Sequence, residues 1–330
     1  MATLTERDTD VSLLAGKRIA VLGFGSQGHA HALNLRDGGL AQVVVALREG
    51  SPKAEAAARE NLCVMGLAQA AAWADILMLT APDEHQGAIY REFLLENLQP
   101  HTMLLFAHGL SIRFQLIVPR ADLDVAMVAP MGPGATLRAQ VVRGLSMPSM
   151  FALHQDTSGK ARALALAYAA GIGCARAGII ETTFAEETET DLFCEQVVLC
   201  GGLSALITAA YETLVAAGYS PEIAYISCSH EVKQIADLIH TRGIAGMHEA
   251  ISNTAEYGEY KIGPRIISAA VRDEMKRVLA EITVGDFTKA WMAENARGLP
   301  ELNAMRASAT THAIEEVGAR VRKMMPWLNS

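Results

Sequence analysis

The sequence predicts an α/β fold in which strands and helices alternate over residues 1–182 and helices alone follow over residues 183–330. Two observations support this prediction. Short apolar runs bounded by glycine or polar residues recur through the first part, which is typical of buried parallel strands. From Glu186 onward, almost every segment has helical periodicity instead. Such a change separates a Rossmann domain from an added helical domain, and it places the domain boundary near Thr182.

Composition narrows the functional classes. A net charge of −8 gives no electrostatic footprint for nucleic acid, and no basic run suggests binding to an anionic membrane. Five cysteines without a C-x-x-C pair predict a reducing cytoplasm rather than a disulfide framework. The stretch Met1–Asp10 lacks the regions of a signal peptide, and Val197–Gly218, interrupted by glycines and Glu212, predicts a buried helix rather than a membrane span. Work on small molecules is expected.

The first strand, Lys17–Leu22, runs directly into a glycine-rich loop and then a helix-prone segment. In a dinucleotide fingerprint, Gly23 permits the tight turn, Gly25 lets the pyrophosphate approach the backbone, and Gly28 lets the helix pack on the strand. The other loop residues, expected beside the cofactor, are Phe24, Ser26 and Gln27. The alternative is a glycine-rich turn without a ligand.

The second strand, Gln42–Leu47, ends where a Rossmann fold meets the adenosine ribose. Arg48, Ser51 and Lys53 could bind a 2′-phosphate, which favours NADPH. Glu49 could instead accept a hydrogen bond from a free 2′-hydroxyl, as NADH requires. A solvated surface charge is an alternative role for Arg48.

Two further strands, Ala74–Thr80 and Met103–Ala107, lead to polar residues at their carboxyl ends, where open α/β sheets bind ligands. Asp83 and Gln86 follow the first of them and could contact the cofactor or merely form a helix cap. His108 follows the second and could belong to the site or to the core.

A fifth strand, Val125–Ala129, leads into Pro130–Gly134, a rigid turn in which Gly134 suits close approach to the cofactor. The pattern then predicts a helix over 158–171 and, near the end of the chain, helical structure with alternating charges over 304–325.

An acidic stretch opens the helical part. In a helix, Glu187, Asp191 and Glu195 recur every four residues on one face, where like charges cost roughly 0.2–0.5 kcal/mol per pair. A divalent metal ion would remove this cost, whereas a solvated acidic face is the alternative. Taken alone, Glu231 predicts a surface charge or an ion-pair partner rather than a ligand.

Several motifs together resemble class I ketol-acid reductoisomerase over nearly the whole chain: Gly23–Gly28, Ala81–Gln86, Phe106–Gly109, Glu181–Phe193 and Ile251–Gly258. The resemblance implies a Rossmann domain, a knotted helical domain and at least a homodimer with a shared active site. It also implies a Mg²⁺-dependent alkyl shift in acetohydroxy acids, followed by reduction with NAD(P)H to dihydroxy acids for branched-chain amino acids.

Carried over residue by residue, the resemblance implies a first Mg²⁺ held by Asp191 and Glu195, with Glu187 supporting the site. The family bridges a second metal ion with two glutamates of the partner subunit. Here Glu231 matches one of them, and Ser227 occupies the position of the other. Only a weakened second metal site is therefore implied.

His108 matches the family's site histidine, and Ser252 matches the serine that binds the substrate carboxylate. Further departures cluster at the site, among them Met131 in place of a catalytic lysine and Ala135 in place of a histidine. Losing one preorganised donor can cost ~3 kcal/mol of transition-state stabilisation, so the ordinary reaction should suffer.

The leading hypothesis from the sequence is therefore a family scaffold used in specialised metabolism on a different small hydroxy or keto acid, with a zwitterionic one also compatible. Its carbon-skeleton step would be another alkyl shift or a small-ring closure. If the cofactor oxidises and later reduces the same substrate, turnover would show no net consumption of NAD(P)H. An authentic ketol-acid reductoisomerase is the first alternative. A non-catalytic cofactor-binding paralogue is the second.

Overall fold

The computed structural model describes residues 3–329. Met1 and Ala2, which begin the N-terminal stretch considered above, and Ser330 lie outside this range. The chain forms two compact units, Met1–Thr190 and Asp191–Ser330.

The first unit is organised around one sheet, in which the described residues supply nine strands. In chain order they are β1 (Thr3–Leu4), β2 (Arg18–Leu22), β3 (Gln42–Leu47), β4 (Cys63–Gly66), β5 (Ile76–Leu79), β6 (Met103–Phe106), β7 (Asp124–Pro130), β8 (Ser149–Gln155) and β9 (Ile179–Glu181). The order across the sheet is β1-β9-β8-β7-β6-β5-β2-β3-β4. Neighbours are parallel except at the β7–β8 and β1–β9 pairs.

Helices cover the sheet of this unit. They are α1 (Ser26–Gly38), α2 (Ala54–Arg59), α3 (Leu67–Trp73), α4 (Asp83–Ile89), α5 (Leu110–Arg113), α6 (Gly134–Val142), α7 (Ala161–Gly171) and α8 (Phe184–Cys194), which crosses the boundary between the units. Alternate residues of each strand face opposite sides, so that Ile19 joins one hydrophobic cluster and Ala20 another. Both faces of the sheet are therefore buried, which explains the nearly continuous apolar runs of its strands.

The topology of the sheet places the turns that are predicted to bind ligands at one edge of the sheet. Strand β2 lies between β3 and β5, so the strand order reverses there and opens the crevice in which such sheets bind ligands. Because β2, β3, β5, β6 and β7 are mutually parallel, the turns that follow them emerge on the same side. The predicted Rossmann domain is confirmed. Strand β4 was not predicted, since its run of four residues carries little pattern.

The second unit is helical throughout its described residues, as predicted. After the end of α8 it contains α9 (Gly201–Ala216), α10 (Pro221–Tyr225), α11 (Glu231–His248), α12 (Asn253–Ile266), α13 (Ala269–Thr283), α14 (Asp286–Ala296), α15 (Pro300–Thr311) and α16 (Ala313–Lys323). The helical structure predicted over 304–325 is confirmed, and the extended backbone of His312 divides it into α15 and α16. The helix predicted from Ser158 begins at Ala161 instead. The knotted path implied by the resemblance stays a prediction.

Two π-helical turns interrupt the helices of this unit, at Glu195–Leu199 and at Ile226–His230. A π turn adds one residue to a helical turn, and such turns are frequent at functional sites. Both fall at the segments in which the resemblance implies metal ligands.

The prediction of a buried helix over 197–218 is wrong for the chain by itself. The continuous helical stretch Phe184–Ala216 is long and apolar enough to cross a membrane, by length and composition alone. Only 6% of its most apolar 18-residue segment is buried. Leu206, at its middle, is 51% exposed. Apolar periodicity indicates that a face will be covered, but it does not indicate by what.

Candidate active site

The glycine loop after β2 has the geometry of a dinucleotide fingerprint. Gly23 has φ 103°, a left-handed conformation that favours glycine. A Cβ on Gly28 would lie 2.2 Å from the Gly23 carbonyl oxygen, so only glycine lets α1 pack this close to the strand. A Cβ on Gly25 would meet open space, which leaves the backbone accessible to a ligand at the N-terminus of α1. The loop therefore fits a bound pyrophosphate.

A groove of about 290 Å³ lies against this loop. It is lined by Phe24, Gly25, Ser26, His29, Lys53, Ala56 and Ala135. Lys53 supplies a cation to this groove, whereas the exposed Arg48 does not line it. The Ser51 hydroxyl accepts a hydrogen bond from the Lys53 backbone N–H at 3.3 Å, which shapes the turn after β3. Cofactor contact by Arg48 and Ser51 stays a prediction.

The turn after β7 is fastened to the glycine loop. Gln27 donates its side-chain N–H to the Gly132 carbonyl at 2.9 Å, and the Ala135 backbone N–H donates to the Ser26 hydroxyl at 3.3 Å. A Cβ on Gly134 would lie 2.1 Å from the Ser26 carbonyl oxygen, so this contact also requires glycine. The turn presents Met131, whose side chain is 40% exposed.

A chain of hydrogen bonds orients His108 at the end of β6. Its Nδ1 lies 3.2 Å from an Asp83 carboxylate oxygen. The other oxygen of Asp83 accepts from the Gln86 amide at 3.0 Å, and Ser111 donates to Gln86 at 2.8 Å. Because a carboxylate only accepts, the Nδ1 of His108 carries the proton and Nε2 is an acceptor when the ring is neutral. Asp83 and Gln86 thus support the site histidine, whereas their contact with the cofactor stays a prediction.

The start of α8 packs against the same turn. Glu187 is 3% exposed, and its Oε2 accepts the Gly109 backbone N–H at 2.9 Å. Thr188 contributes a second hydrogen bond to that oxygen at 3.3 Å. A Cβ on Gly109 would lie 2.3 Å from the Thr188 hydroxyl and 2.9 Å from the Phe184 carbonyl, so glycine is needed for α8 to approach.

His108, Glu187 and Asp191 together form a possible metal site. Asp191 follows Glu187 by one turn of the unbroken α8, and each of the three residues offers a ligand atom within 4.8 Å of the others. Ligands of one Mg²⁺ at ~2.1 Å lie at most ~4.2 Å apart, so small side-chain shifts would let these donors share an ion. Two carboxylates and an imidazole nitrogen that Asp83 leaves unprotonated fit a divalent cation.

The remaining predicted ligands lie further along the chain. Glu195 is exposed and begins the first π turn, one turn beyond Asp191. Glu231 begins α11, immediately after the π turn that holds Ser227. The Ser252 hydroxyl caps α12 by accepting the Ala255 backbone N–H at 3.2 Å. Each of these roles stays a prediction.

The sequence reasoning missed two features of this site. The sequence predicts His108 as a site residue but not as a member of the group that could hold a metal ion, and the backbone N–H of Gly109 was not considered as an anchor for Glu187. A signal for the position of His108 exists in the sequence. The turns after β5 and β6, which hold Asp83 and His108, are expected at the same edge of the sheet. No residue pattern in the sequence indicates that a backbone N–H will donate a hydrogen bond to a particular carboxylate.

Two family models match the chain. Residues 13–178 match the acetohydroxy acid isomeroreductase NADPH-binding domain, and residues 184–327 match the ketol-acid reductoisomerase C-terminal domain. Among solved structures, an NADH-preferring ketol-acid reductoisomerase from an uncultured archean is 43% identical with a TM-score of 0.96. The match covers 98% of this chain and 99% of that one.

More distant structures share the fold alone. A putative oxidoreductase from Jannaschia sp. CCS1 is 13% identical with a TM-score of 0.62, over 82% of this chain and 97% of that one. A semialdehyde dehydrogenase NAD-binding protein from Cupriavidus necator is 19% identical with the same TM-score, over 81% and 98%.

Proposed function

This chain belongs to the ketol-acid reductoisomerase family, a family of NAD(P)-dependent oxidoreductases, and on that premise we propose that it converts an acetohydroxy acid to a dihydroxy acid with NAD(P)H and Mg²⁺. One observation carries the proposal: the oriented His108 lies beside the carboxylates of Glu187 and Asp191. His108 and Glu187 belong to the unit that also holds the dinucleotide loop. A metal ion held by these groups would polarise the substrate's oxygens. Bound NAD(P)H would supply the hydride.

The chain's own residues would prepare this chemistry. Asp83 holds His108 in one tautomer, so that the same ring nitrogen always faces the carboxylates. Gly109 fixes Glu187 through its backbone N–H, so that the carboxylate is positioned before any ligand binds. Ser252, at the N-terminus of α12, would bind the substrate carboxylate.

The comparisons favour the ordinary family reaction over the altered reaction in specialised metabolism that the sequence put first. Both family models and the 43% identical structure are of ketol-acid reductoisomerases. We therefore place the ordinary reaction first and give the altered reaction second place.

The second candidate is a different small hydroxy or keto acid with a changed carbon-skeleton step. Met131 favours it, because a half-exposed thioether stands at the position where the family resemblance implies a lysine. A pocket with one cation fewer suits a less anionic or a zwitterionic substrate. Ser227 also favours the second candidate, since a hydroxyl is a weaker metal ligand than a carboxylate.

One assay distinguishes the two candidates. Acetolactate, Mg²⁺ and either NADPH or NADH are supplied, and both cofactor oxidation and dihydroxy-acid formation are followed. Turnover of at least about 1 s⁻¹, the low end of ordinary enzymatic rates, supports the first candidate. If the wild type is inactive while the double variant Met131→Lys, Ser227→Glu gains turnover, the first candidate is wrong and the second is favoured.

Cofactor preference is tested in the same experiment. Lys53 in the groove supports NADPH, whereas the 43% identical structure is of an enzyme that prefers NADH. We propose NADPH. A lower KM for NADH would contradict this.

We further propose a homodimer and a cytoplasmic location. The exposed apolar face of α9 supports the homodimer, in which a second copy of the chain would cover this face. Leaving such a face in contact with water is unfavourable because of the hydrophobic effect. All five cysteines are free, which supports a reducing compartment.

A further inference from the structure

Three polar side chains bridge α11 and α12 within the second unit. The Nε2 of His248 lies 3.0 Å from Glu259, and its Nδ1 lies 3.0 Å from the Tyr260 hydroxyl. The imidazole is largely buried, with 13% of its side chain exposed, whereas Tyr260 is 57% exposed. A shielded imidazole therefore connects a carboxylate to an accessible hydroxyl.

The directions of these hydrogen bonds follow from the groups themselves. The Glu259 carboxylate only accepts, so Nε2 is the donor. In the neutral ring Nδ1 is then an acceptor for the Tyr260 hydroxyl, whose proton the Glu256 side chain can accept as well. A carboxylate, an imidazole and a hydroxyl are linked in the same sense in the catalytic triads of hydrolases.

The Tyr260 hydroxyl reaches back toward the turn between the two helices. Helical side chains lean toward the N-terminus of their own helix, and this hydroxyl contacts His248, the last residue of α11. Ser252, which caps α12, lies four residues after His248 in that same turn. Ser252 and the Tyr260 hydroxyl therefore both lie at the turn between α11 and α12.

We propose that Tyr260, His248 and Glu259 form a proton relay that accepts the hydroxyl proton of a substrate whose carboxylate Ser252 binds, an inference that rests on the function proposed above. The substrate O–H bond breaks as a new O–H bond forms at Tyr260. The original Tyr260 proton passes to Nδ1 of His248, and Glu259 stabilises the resulting imidazolium.

The substrate oxygen is then an alkoxide, which becomes a carbonyl as the alkyl group migrates to the neighbouring carbonyl carbon. The relay returns its proton to the alkoxide formed at that carbon, so no proton is gained or lost. Desolvation and the neighbouring carboxylates of Glu256 and Glu259 raise the pKa of Tyr260. The phenol thus keeps a proton at neutral pH and transmits it, rather than acting as a phenolate.

The test compares two reactions of the full-length enzyme. One is turnover of acetolactate, which needs the alkyl shift; the other is reduction of the already rearranged 3-hydroxy-2-keto acid, which does not. Tyr260→Phe and His248→Gln should lower the ratio of the first kcat to the second about a hundredfold, as loss of a general base does. KM should change little. Imidazole added to His248→Gln should restore part of the ratio.

Tyr257→Phe is the matched control, because Tyr257 lies on the same helix, is 67% exposed and contacts Lys261 rather than His248. It should keep the wild-type ratio. Variants that only lose thermal stability, with the ratio intact, would overturn the relay and leave a structural brace between α11 and α12.

A wild-type enzyme that converts neither compound would overturn the proposed function. In that case an NMR measurement tests the relay on its own. The ¹⁵N shifts of His248 at neutral pH should report a protonated Nε2 and an unprotonated Nδ1. The opposite tautomer would overturn the relay whatever the activity.

Discussion

The hydrogen bond that His108 donates to Asp83 gives a test at the scale of one residue. Asp83→Asn keeps the shape of the side chain, but its amide can donate to Nδ1 and favour the other tautomer of His108. Removing the hydrogen-bond partner of a ligand typically costs 10–100-fold, and we expect a fall in kcat/KM of about that size. Steady-state kinetics measure it. Ser111→Ala, which acts two hydrogen bonds further away, should cost less than Asp83→Asn.

Gly109 gives a second test at the scale of one residue, in which the substitution introduces a steric clash rather than a change of charge. In Gly109→Ala the new methyl group would clash with Thr188 and with the Phe184 carbonyl, so α8 must shift. Overpacking of this kind costs about 1–3 kcal/mol, and the shift should move Glu187 and weaken Mg²⁺ binding. Calorimetry with Mg²⁺ and thermal unfolding measure the two effects.

Gly66→Ala is the matched control for this substitution. A Cβ on Gly66 would meet no atom within 4 Å, and its φ of −66° suits alanine. Wild-type Mg²⁺ affinity in Gly109→Ala would contradict the role we give to the contact between this turn and α8.

At the scale of secondary-structure elements, Asp124 fastens β7 to the loop before α7. It is 2% exposed and accepts four hydrogen bonds, from the backbone N–H and hydroxyl groups of Thr157 and Ser158. Burial raises the pKa of Asp124, but these hydrogen bonds outweigh it and the net pKa is lowered. A carboxyl group with a lowered pKa stabilises the fold above its unfolded pKa of ~3.9, and this contribution is lost as the pH falls through the folded value.

Asp124→Asn should therefore lower the free energy of unfolding by about 1–3 kcal/mol at pH 7, since it leaves buried donors unsatisfied. The difference from the wild type should shrink below about pH 4. Urea unfolding at pH 7 and pH 3 measures both values. Glu55→Gln, which removes an exposed carboxylate from α2, should change neither. A difference that does not depend on pH would contradict the linkage.

The elements also show what sequence patterns can and cannot predict. The strands after which Gly23, Asp83 and His108 stand were predicted because parallel buried strands are apolar on both faces. The break at His312 was not predicted, since the flanking residues favour helix on both sides and only the local backbone changes direction. The chain of hydrogen bonds from Ser111 to His108 was out of reach, because it depends on side-chain geometry across two turns.

At the scale of the whole molecule, the apolar face of α9 predicts how the protein assembles. Leu206→Glu would place a carboxylate on that face, and we expect it to prevent the proposed homodimer from forming, because burying a charge without a partner is costly. Light scattering coupled to gel filtration measures the mass. Leu145→Glu is the matched control, a leucine of similar exposure, 48% against 51%, in the first unit. If Leu206→Glu keeps the wild-type mass, α9 is not the interface.

The π turn at Glu195–Leu199 has a consequence for how this helix can vary among relatives. It holds one residue more than an α-helical turn needs, so deleting a residue there would leave the helix continuous. The side chains after the deletion would keep their orientation around the helix axis relative to Asp191, because the residue removed is the one that the wider turn accommodates. A shorter relative could thus present the same side of the following helix to its neighbours.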